Sequence, residues 1–288
     1  MSPVLATITL NPALDVHYTL KAFTPGREHV PEAQKKLAAG KGVNVSRVLK
    51  RHGIEAPAYM LMGKENGAEY FRLLESYGVS YGYIEVPGSV RENLSINCPE
   101  RHEETRICMK GFTVTPEDGL ALIRLVMEQV PAGGIVALCG SLPPGISGKD
   151  FVGYCKMLRQ AGYRLVIDCP SLTVSELREI QPWLIKPNEK EALALLELSE
   201  MTSGEEIARK LTELFPQVIV SLGADGLVYA NQDVVLRKSA LPTEVYTTVG
   251  AGDSLVAGFL YGTVTAPGDL EKALDYGLKF AAETCSGK

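Results

Sequence analysis

Close to the C-terminal end, Thr248-Val249-Gly250-Ala251-Gly252-Asp253-Ser254 runs into a strongly helical stretch. Small residues at 250 to 252 let an anion approach the free backbone N–H groups of a helix N-terminus, where the macrodipole also favours negative charge. Asp253 falls in the first turn, where it can accept a proton from an attacking hydroxyl. The same position suits a carboxylate that only complements the dipole, worth about 0.3–1 kcal/mol. A second junction of this kind is Ala39-Gly40-Lys41-Gly42-Val43-Asn44. Lys41 there is a cation at the positive end of a macrodipole, tolerable on an exposed surface and otherwise a sign of a phosphate or carboxylate ligand between them. Asp15, after Asn11-Pro12-Ala13-Leu14, is a turn former or a holder of sugar hydroxyls. In Lys186-Pro187-Asn188-Glu189-Lys190-Glu191, residues Asn188 and Glu191 share one helix face, a spacing that serves hydrated magnesium or a plain N-cap with its N3 partner. Ser221-Leu222-Gly223-Ala224-Asp225-Gly226 alone reads as a strand and a glycine turn, a hairpin.

These loops need a scaffold that brings them together. Short apolar runs at 4–10, 58–62, 135–138, 165–167, 184–185 and 218–220 alternate with helical stretches. Among the helices, 43–50 stops before Gly53, 68–77 stops at Gly78, and 116–130 opens with Thr at the cap and Pro at N1. Ser203-Gly204-Glu205-Glu206 has the form of a capping box, and the last two helices cover 252–261 and 269 to the end. Fully apolar strands between helices indicate a parallel sheet covered on both faces. Two stretches, about 16–36 and 89–109, break this rhythm as exposed strands; in the second, Leu94, Ile96 and Cys98 alternate with Ser95 and Asn97. They predict a small β lid, residues 15–37 and 88–110, over an α/β core made of 1–14, 38–87 and 111–288. Open α/β sheets bind ligands at the C-terminal ends of their strands, where the four candidate loops lie.

Composition removes several classes. The chain has 288 residues, 45% hydrophobic and 22% charged, the balance of an ordinary globular protein. Its net charge of −5 offers no global field for nucleic acid or an anionic membrane. The six cysteines form no Cys-x-x-Cys pair, and the four histidines show no metal spacing. Gly40-Lys41-Gly42 lacks the earlier glycine and the following hydroxyl of a P-loop, and Leu255 stands where a dinucleotide fingerprint needs its third glycine. With no signal-peptide pattern and no run of about 20 apolar residues, a cytoplasmic protein acting on small molecules is expected, with neither nucleic acid nor membrane as partner.

In order along nearly the whole chain, the motifs at 39–44, 186–191, 221–226 and 248–254 resemble those of the ribokinase-like, phosphofructokinase B family of carbohydrate kinases. Thr9-Leu10-Asn11-Pro12-Ala13-Leu14-Asp15 with Gly40-Lys41-Gly42 is similar to its phosphosugar branch. The resemblance implies a Rossmann-like αβα sandwich with a mostly parallel sheet and a β-sheet lid. It implies phosphoryl transfer from ATP, with Mg2+, to a ketohexose monophosphate: fructose 1-phosphate first, giving fructose 1,6-bisphosphate, with tagatose 6-phosphate or fructose 6-phosphate as alternative acceptors. A binder of sugar phosphate or nucleotide without turnover is the alternative of another class, and the intact Asp253 and Gly250-Ala251-Gly252 count against it. Residue by residue, Asp253 matches the catalytic base and Gly250, Ala251 and Gly252 the anion hole. Asp15, Gly40 and Asn44 match sugar contacts, and Lys41, Arg91 and Asn93 match residues near the substrate phosphate. Lys186, Ser221, Gly223 and Gly226 match the nucleotide side; Asn188 and Glu191 match a magnesium-linked pair acting through water. A homodimer formed through the lid is also implied. Ala39, Cys139 and Thr247 are mild departures, whereas His29, Ser95 and Gly111-Phe112-Thr113 concern the lid and bear on which sugar is used.

Overall fold

The structure is a computed structural model describing residues 4–101, 103–198 and 203–287. Its elements are β1 (Leu5–Thr9), β2 (Ala13–Thr19), β3 (Ala33–Ala39), α1 (Lys41–Arg51), β4 (Ala58–Gly63), α2 (Gly67–Glu75), β5 (Tyr81–Val86), β6 (Arg91–Cys98) and β7 (Glu103–Ile107). There follow α3 (Pro116–Gln129), β8 (Ile135–Cys139), α4 (Gly148–Gln160), β9 (Arg164–Asp168), α5 (Val174–Ile180), β10 (Leu184–Ile185), α6 (Glu189–Leu195) and α7 (Gly204–Thr212). The last are β11 (Gln217–Ser221), β12 (Leu227–Asn231), β13 (Val235–Lys238), α8 (Ala251–Thr265) and α9 (Leu270–Cys285).

The larger sheet runs β13-β12-β11-β10-β9-β8-β1-β4-β5 and is parallel except for the β11–β12–β13 end. Its central strands are buried at almost every position because both faces are covered. Ala6 and Ile8 of β1, with Val136 and Leu138 of β8, meet Tyr70, Leu122, Phe151 and Leu177 from the helices of one layer. Leu5 and Ala137 turn the other way, onto Val45, Leu49, Leu255 and Phe259 of α1 and α8. Such two-sided burial makes the expected αβα sandwich. Helix starts follow local chemistry: Thr115, Ser147 and Thr173 each cap their helix in a reciprocal box with Asp118, Asp150 and Glu176. Ser203 caps α7 by accepting from the Glu206 N–H.

The second sheet runs β3-β2-β6-β7, with β2 antiparallel to β3, parallel to β6, and β6 antiparallel to β7. Its pairing takes in Ala13 and Ala39, two residues beyond the expected 15–37 span on each side. The period of two sets Leu14 and Val16 into the protein, both nearly inaccessible, and turns Asp15 and His17 to the other face. Among the described residues no helix is long and apolar enough to cross a membrane.

Candidate active site

Each strand of the parallel sheet's central run delivers one polar residue where it ends. β9 ends on Asp168, β10 is followed by Lys186, and β11 ends on Ser221. α1 and α8 begin at the same edge, one contributing Lys41 and Asn44, the other Asp253. Lys41 Nζ lies 2.9 Å from Asp168 Oδ1, and Lys186 Nζ lies 3.5 Å from Oδ2, an ion-pair distance without an aligned hydrogen bond. Asn44 Nδ2 donates to Asp253 Oδ2 at 2.7 Å. Asp168, Lys186, Asn44 and Asp253 are all buried.

Burial pushes the Asp253 carboxyl up to about 6, and the neighbouring Asp168 adds to the rise; Lys41, the Asn44 hydrogen bond and Lys186 oppose it. For Lys41, burial pulls downward but Asp168 and Asp253 outweigh it, so the ammonium is held above its ordinary range. Behind them the Cys139 thiol is raised by burial and by the same two carboxylates.

The loop before α8 turns on Gly250, whose φ of 81° is the left-handed conformation that glycine adopts without strain. Ala251 N donates back to Thr248 O at 3.3 Å, which leaves the Gly250 and Gly252 amides at the mouth. A side chain at Gly252 would begin 3.4 Å from Lys186 Nζ, so loop and ammonium face one small space. From behind, the end of α9 braces the loop: Thr284 and Ser254 hydroxyls bond at 2.7 Å, and Cys285 O accepts from Tyr246 N and Thr247 N.

At the small sheet, Asn93 Nδ2 donates to Asp15 Oδ1 at 2.9 Å, which brings these two predicted contacts together. Arg91 gives its Nη atoms to the carbonyls of Asn11 (3.1 Å) and Met109 (3.0 Å), and its Nε is buried without a partner. Gly40 caps α1.

The fold gives several of the expected site residues partners within the protein. Lys41 takes its counter-charge from the protein, because sheet order brings Asp168 to it across 127 residues. Asn44, expected on the sugar, donates to Asp253. Lys186, expected on the nucleotide side, is beside Asp168 and the Gly252 loop. Asn188 and Glu191 form a reciprocal capping box at α6, with Asn188 Oδ1 and Glu191 Oε2 each accepting an amide at 2.9 Å. Gly223 and Gly226 flank the tight turn between β11 and β12; at Gly226, with φ 96°, any Cβ would run into the Lys238–Ala240 backbone. Asp168 escapes the sequence reading altogether, although an acid closing the apolar run 165–167 at a strand end is the signal that marks it.

A divalent cation such as Mg2+ binds through oxygen and keeps several waters. The chain offers it a buried Asp168 Oδ2 with no hydrogen bond and the second oxygen of Glu191, a donor set that fits. Among the described residues no cluster of three ligating side chains forms a self-sufficient metal site.

An anion-receiving helix N-terminus, a carboxylate of raised pKa and two lysines at the strand ends of an α/β sheet define the class: phosphoryl transfer to a hydroxyl, which relies on positioning and charge stabilisation. Comparison with known proteins agrees. The pfkB family carbohydrate kinase model matches residues 9–288. The chain is 33% identical over 263 residues to the 1-phosphofructokinase of Haemophilus influenzae, covering 90% of this chain and 83% of that one. It is 31% identical over 285 residues to that of Bacillus subtilis, covering 98% and 92%. The solved structure of phosphofructokinase-2 from Escherichia coli in complex with fructose-6-phosphate has the same fold, with TM-score 0.91 at 24% identity over 98% of this chain and 94% of that one. The chain belongs to the pfkB family of carbohydrate kinases.

Proposed function

We propose that the protein transfers the terminal phosphoryl group of ATP, with Mg2+, to fructose 1-phosphate, giving fructose 1,6-bisphosphate. The observation that carries the chemistry is Asp253: a buried carboxylate of raised pKa beside the Gly250–Gly252 amides, with Asn44 fixing one of its oxygens. The choice of acceptor is supported by the relatives named 1-phosphofructokinase, similar over most of the chain.

In this reading the acceptor hydroxyl lies against the free oxygen of Asp253, which takes its proton as the new P–O bond forms. The Gly250 and Gly252 amides and Lys186 hold the equatorial oxygens of the transferring group, where charge builds in a loose transition state. Asp15, paired with Asn93, and Gly40 orient the sugar; Arg91 Nε and Lys41 face its charged end. Ser221, Gly223 and Gly226 shape the nucleotide side. Asp168, Glu191 and, through water, Asn188 would hold the magnesium ion, which would neutralise charge on the donor phosphates.

The four-stranded sheet acts as the lid, and two copies pair through it. The exposed Ile107 and Met109 on and beside its edge strand β7 support that pairing. Six free thiols are consistent with a reducing compartment such as the cytoplasm.

The test is ADP release with fructose 1-phosphate, tagatose 6-phosphate and fructose 6-phosphate, each with and without Mg2+. Magnesium-dependent turnover should be fastest with fructose 1-phosphate. A preference for either other sugar overturns the acceptor, and no turnover with any of them overturns the reading.

A further inference from the structure

The chain crosses between the two sheets at β1–β2, β3–α1, β5–β6 and β7–α3. Two of these crossings lead straight into residues assigned to the acceptor: Gly40 and Lys41 follow β3, and Arg91 opens β6 two places before Asn93. Both crossings are held by α2, a helix none of whose side chains the site described above uses.

Asn66 occupies the N-cap position of α2 yet makes no side-chain bond to its own helix. An asparagine there ordinarily accepts from the N2 or N3 amide. Instead the side chain reaches across to Val90, accepting from its N–H at 2.7 Å and donating to its carbonyl at 2.9 Å. A side-chain amide thus pairs with one residue as a neighbouring strand would. Lys64 N donates to Val86 O at 3.1 Å and Glu65 N to Gly88 O at 3.2 Å, which brings the crossing alongside, and Ser89 Oγ donates to Glu65 Oε2 at 2.7 Å. Val90 is buried, and the residue after it is Arg91.

Farther along the helix, Tyr70 donates to Ala39 O at 2.8 Å, and Tyr77, just past the last turn, accepts from Ala38 N at 3.1 Å. Burial raises the fully enclosed Tyr70 phenol well above its ordinary range, Tyr77 and Asp15 add to the rise, and Arg47 opposes it. The hydroxyl therefore keeps its proton and stays a donor. Lys36, earlier on β3, lies 3.3 Å from Glu69 of the same helix. Asn66 and Tyr70 are four residues apart, one turn on one face, with about 6 Å between them along the axis. One short rigid piece thus grips the last residue before Gly40 and the last before Arg91.

We propose that Asn66 and Tyr70 are positioning residues for the acceptor: by holding Val90 and Ala39 from one turn of α2, they set the distance between Arg91 and Asn93 on one side and Gly40 and Lys41 on the other. The inference rests on reading the protein as a sugar-phosphate kinase, and neither residue touches the sugar. The contacts they align bind the sugar before and during transfer alike, so the KM of the sugar phosphate is the quantity they govern.

The experiment compares wild type with Asn66→Ser and Tyr70→Phe, measuring kcat, the KM for fructose 1-phosphate, the KM for ATP and the melting temperature. Serine keeps an N-cap, with Glu69 at N3 to complete a capping box, but it cannot pair with both backbone groups of Val90. Tyr70→Phe removes one hydroxyl and keeps the ring. In each variant the KM for fructose 1-phosphate should rise about 10- to 100-fold, the scale of a lost charged contact or of a displacement of about 1 Å. The KM for ATP and kcat should stay close to wild type. An unchanged KM for the sugar phosphate, or KM values for sugar and ATP that rise together, overturns the positioning role whatever the melting temperature does. Hydrogen exchange without substrate keeps the two readings apart. If wild type turns over none of the three sugar phosphates, the proposed function fails; exchange across 88–93 should still be faster in Asn66→Ser, and protection equal to wild type overturns the grip as well.

Discussion

Replacing Asp253 by asparagine should make the protein more stable while removing its activity, and the size of the gain should depend on pH. In the folded protein, burial and Asp168 lift the carboxyl from 3.8 to about 6. About two units, at 1.36 kcal/mol each, amount to about 3 kcal/mol against the ionised form. The sign follows from proton counting. Below 3.8 both folded and unfolded chains carry the proton, and Asp253 costs nothing. Between 3.8 and about 6 the folded chain keeps a proton that the unfolded chain has lost, so stability falls as pH rises; above about 6 the whole penalty applies. The carboxamide introduced by Asp253→Asn does not titrate, and its oxygen can still accept from Asn44. The variant should therefore be about 2–3 kcal/mol more stable than wild type near pH 8, and at about 2–4 °C per kcal/mol its melting temperature should rise by roughly 4–12 °C. Paired thermal melts over a pH series provide the assay. The gap should close as pH is lowered through about 6 toward 4, and kcat should be lower by about 10²–10⁴. A gap independent of pH, or a wild type more stable near pH 8, refutes the electrostatic reasoning. Near-normal kcat removes Asp253 from the proton transfer.

The raised carboxyl also predicts an acid limb: kcat/KM of the wild type should fall about tenfold per pH unit below about 6, and a flat profile down to about pH 5 would contradict this. Asn188→Ala should cost about 1 kcal/mol as a lost cap, whereas Asn188→Ser should restore the melting temperature yet still require more Mg2+; full recovery of both would make the residue a cap alone. Thr284→Val leaves the buried Ser254 hydroxyl without its 2.7 Å partner, behind the anion loop. It should lower kcat more than it changes either KM, with Thr284→Ser restoring activity, and unaltered kcat would show that the brace does not reach the loop.

What the sequence disclosed was local. Thr115-Pro116-Glu117-Asp118 announces a helix start in four residues, and alternation at 94–98 marks a strand. The motif loops were legible because each carries its own signal of glycine, charge and position before a helix. Partnerships were not, because they depend on strand order. Asn44 and Asp253 are 209 residues apart, and only the placement of α1 beside α8 joins them. The charge of Lys41 pointed to an anion, but nothing near it in sequence names Asp168. At Asn188 and Glu191 the spacing was equally good for two chemistries, and the geometry realises the capping one without using up the second oxygen of Glu191. Lys35 and Lys36 likewise read alike in sequence, and only register assigns them to opposite faces.

The two carboxylates of the site have opposite kinds of partner. An isolated buried ion costs several kcal/mol, so a cluster of charged groups at the strand ends is tolerable only if they balance. Asp168 does most of that balancing, with Lys41 and Lys186 both against it. Asp253 makes no ion pair among the described residues; its bonded partner is the neutral amide of Asn44. A carboxylate held by an amide in a dry setting, near a second negative charge, has its proton affinity raised. In the free protein Asp168 lies against both lysines, while Asp253, whose carboxyl burial and Asp168 push up, keeps the Asn44 amide as its bonded partner.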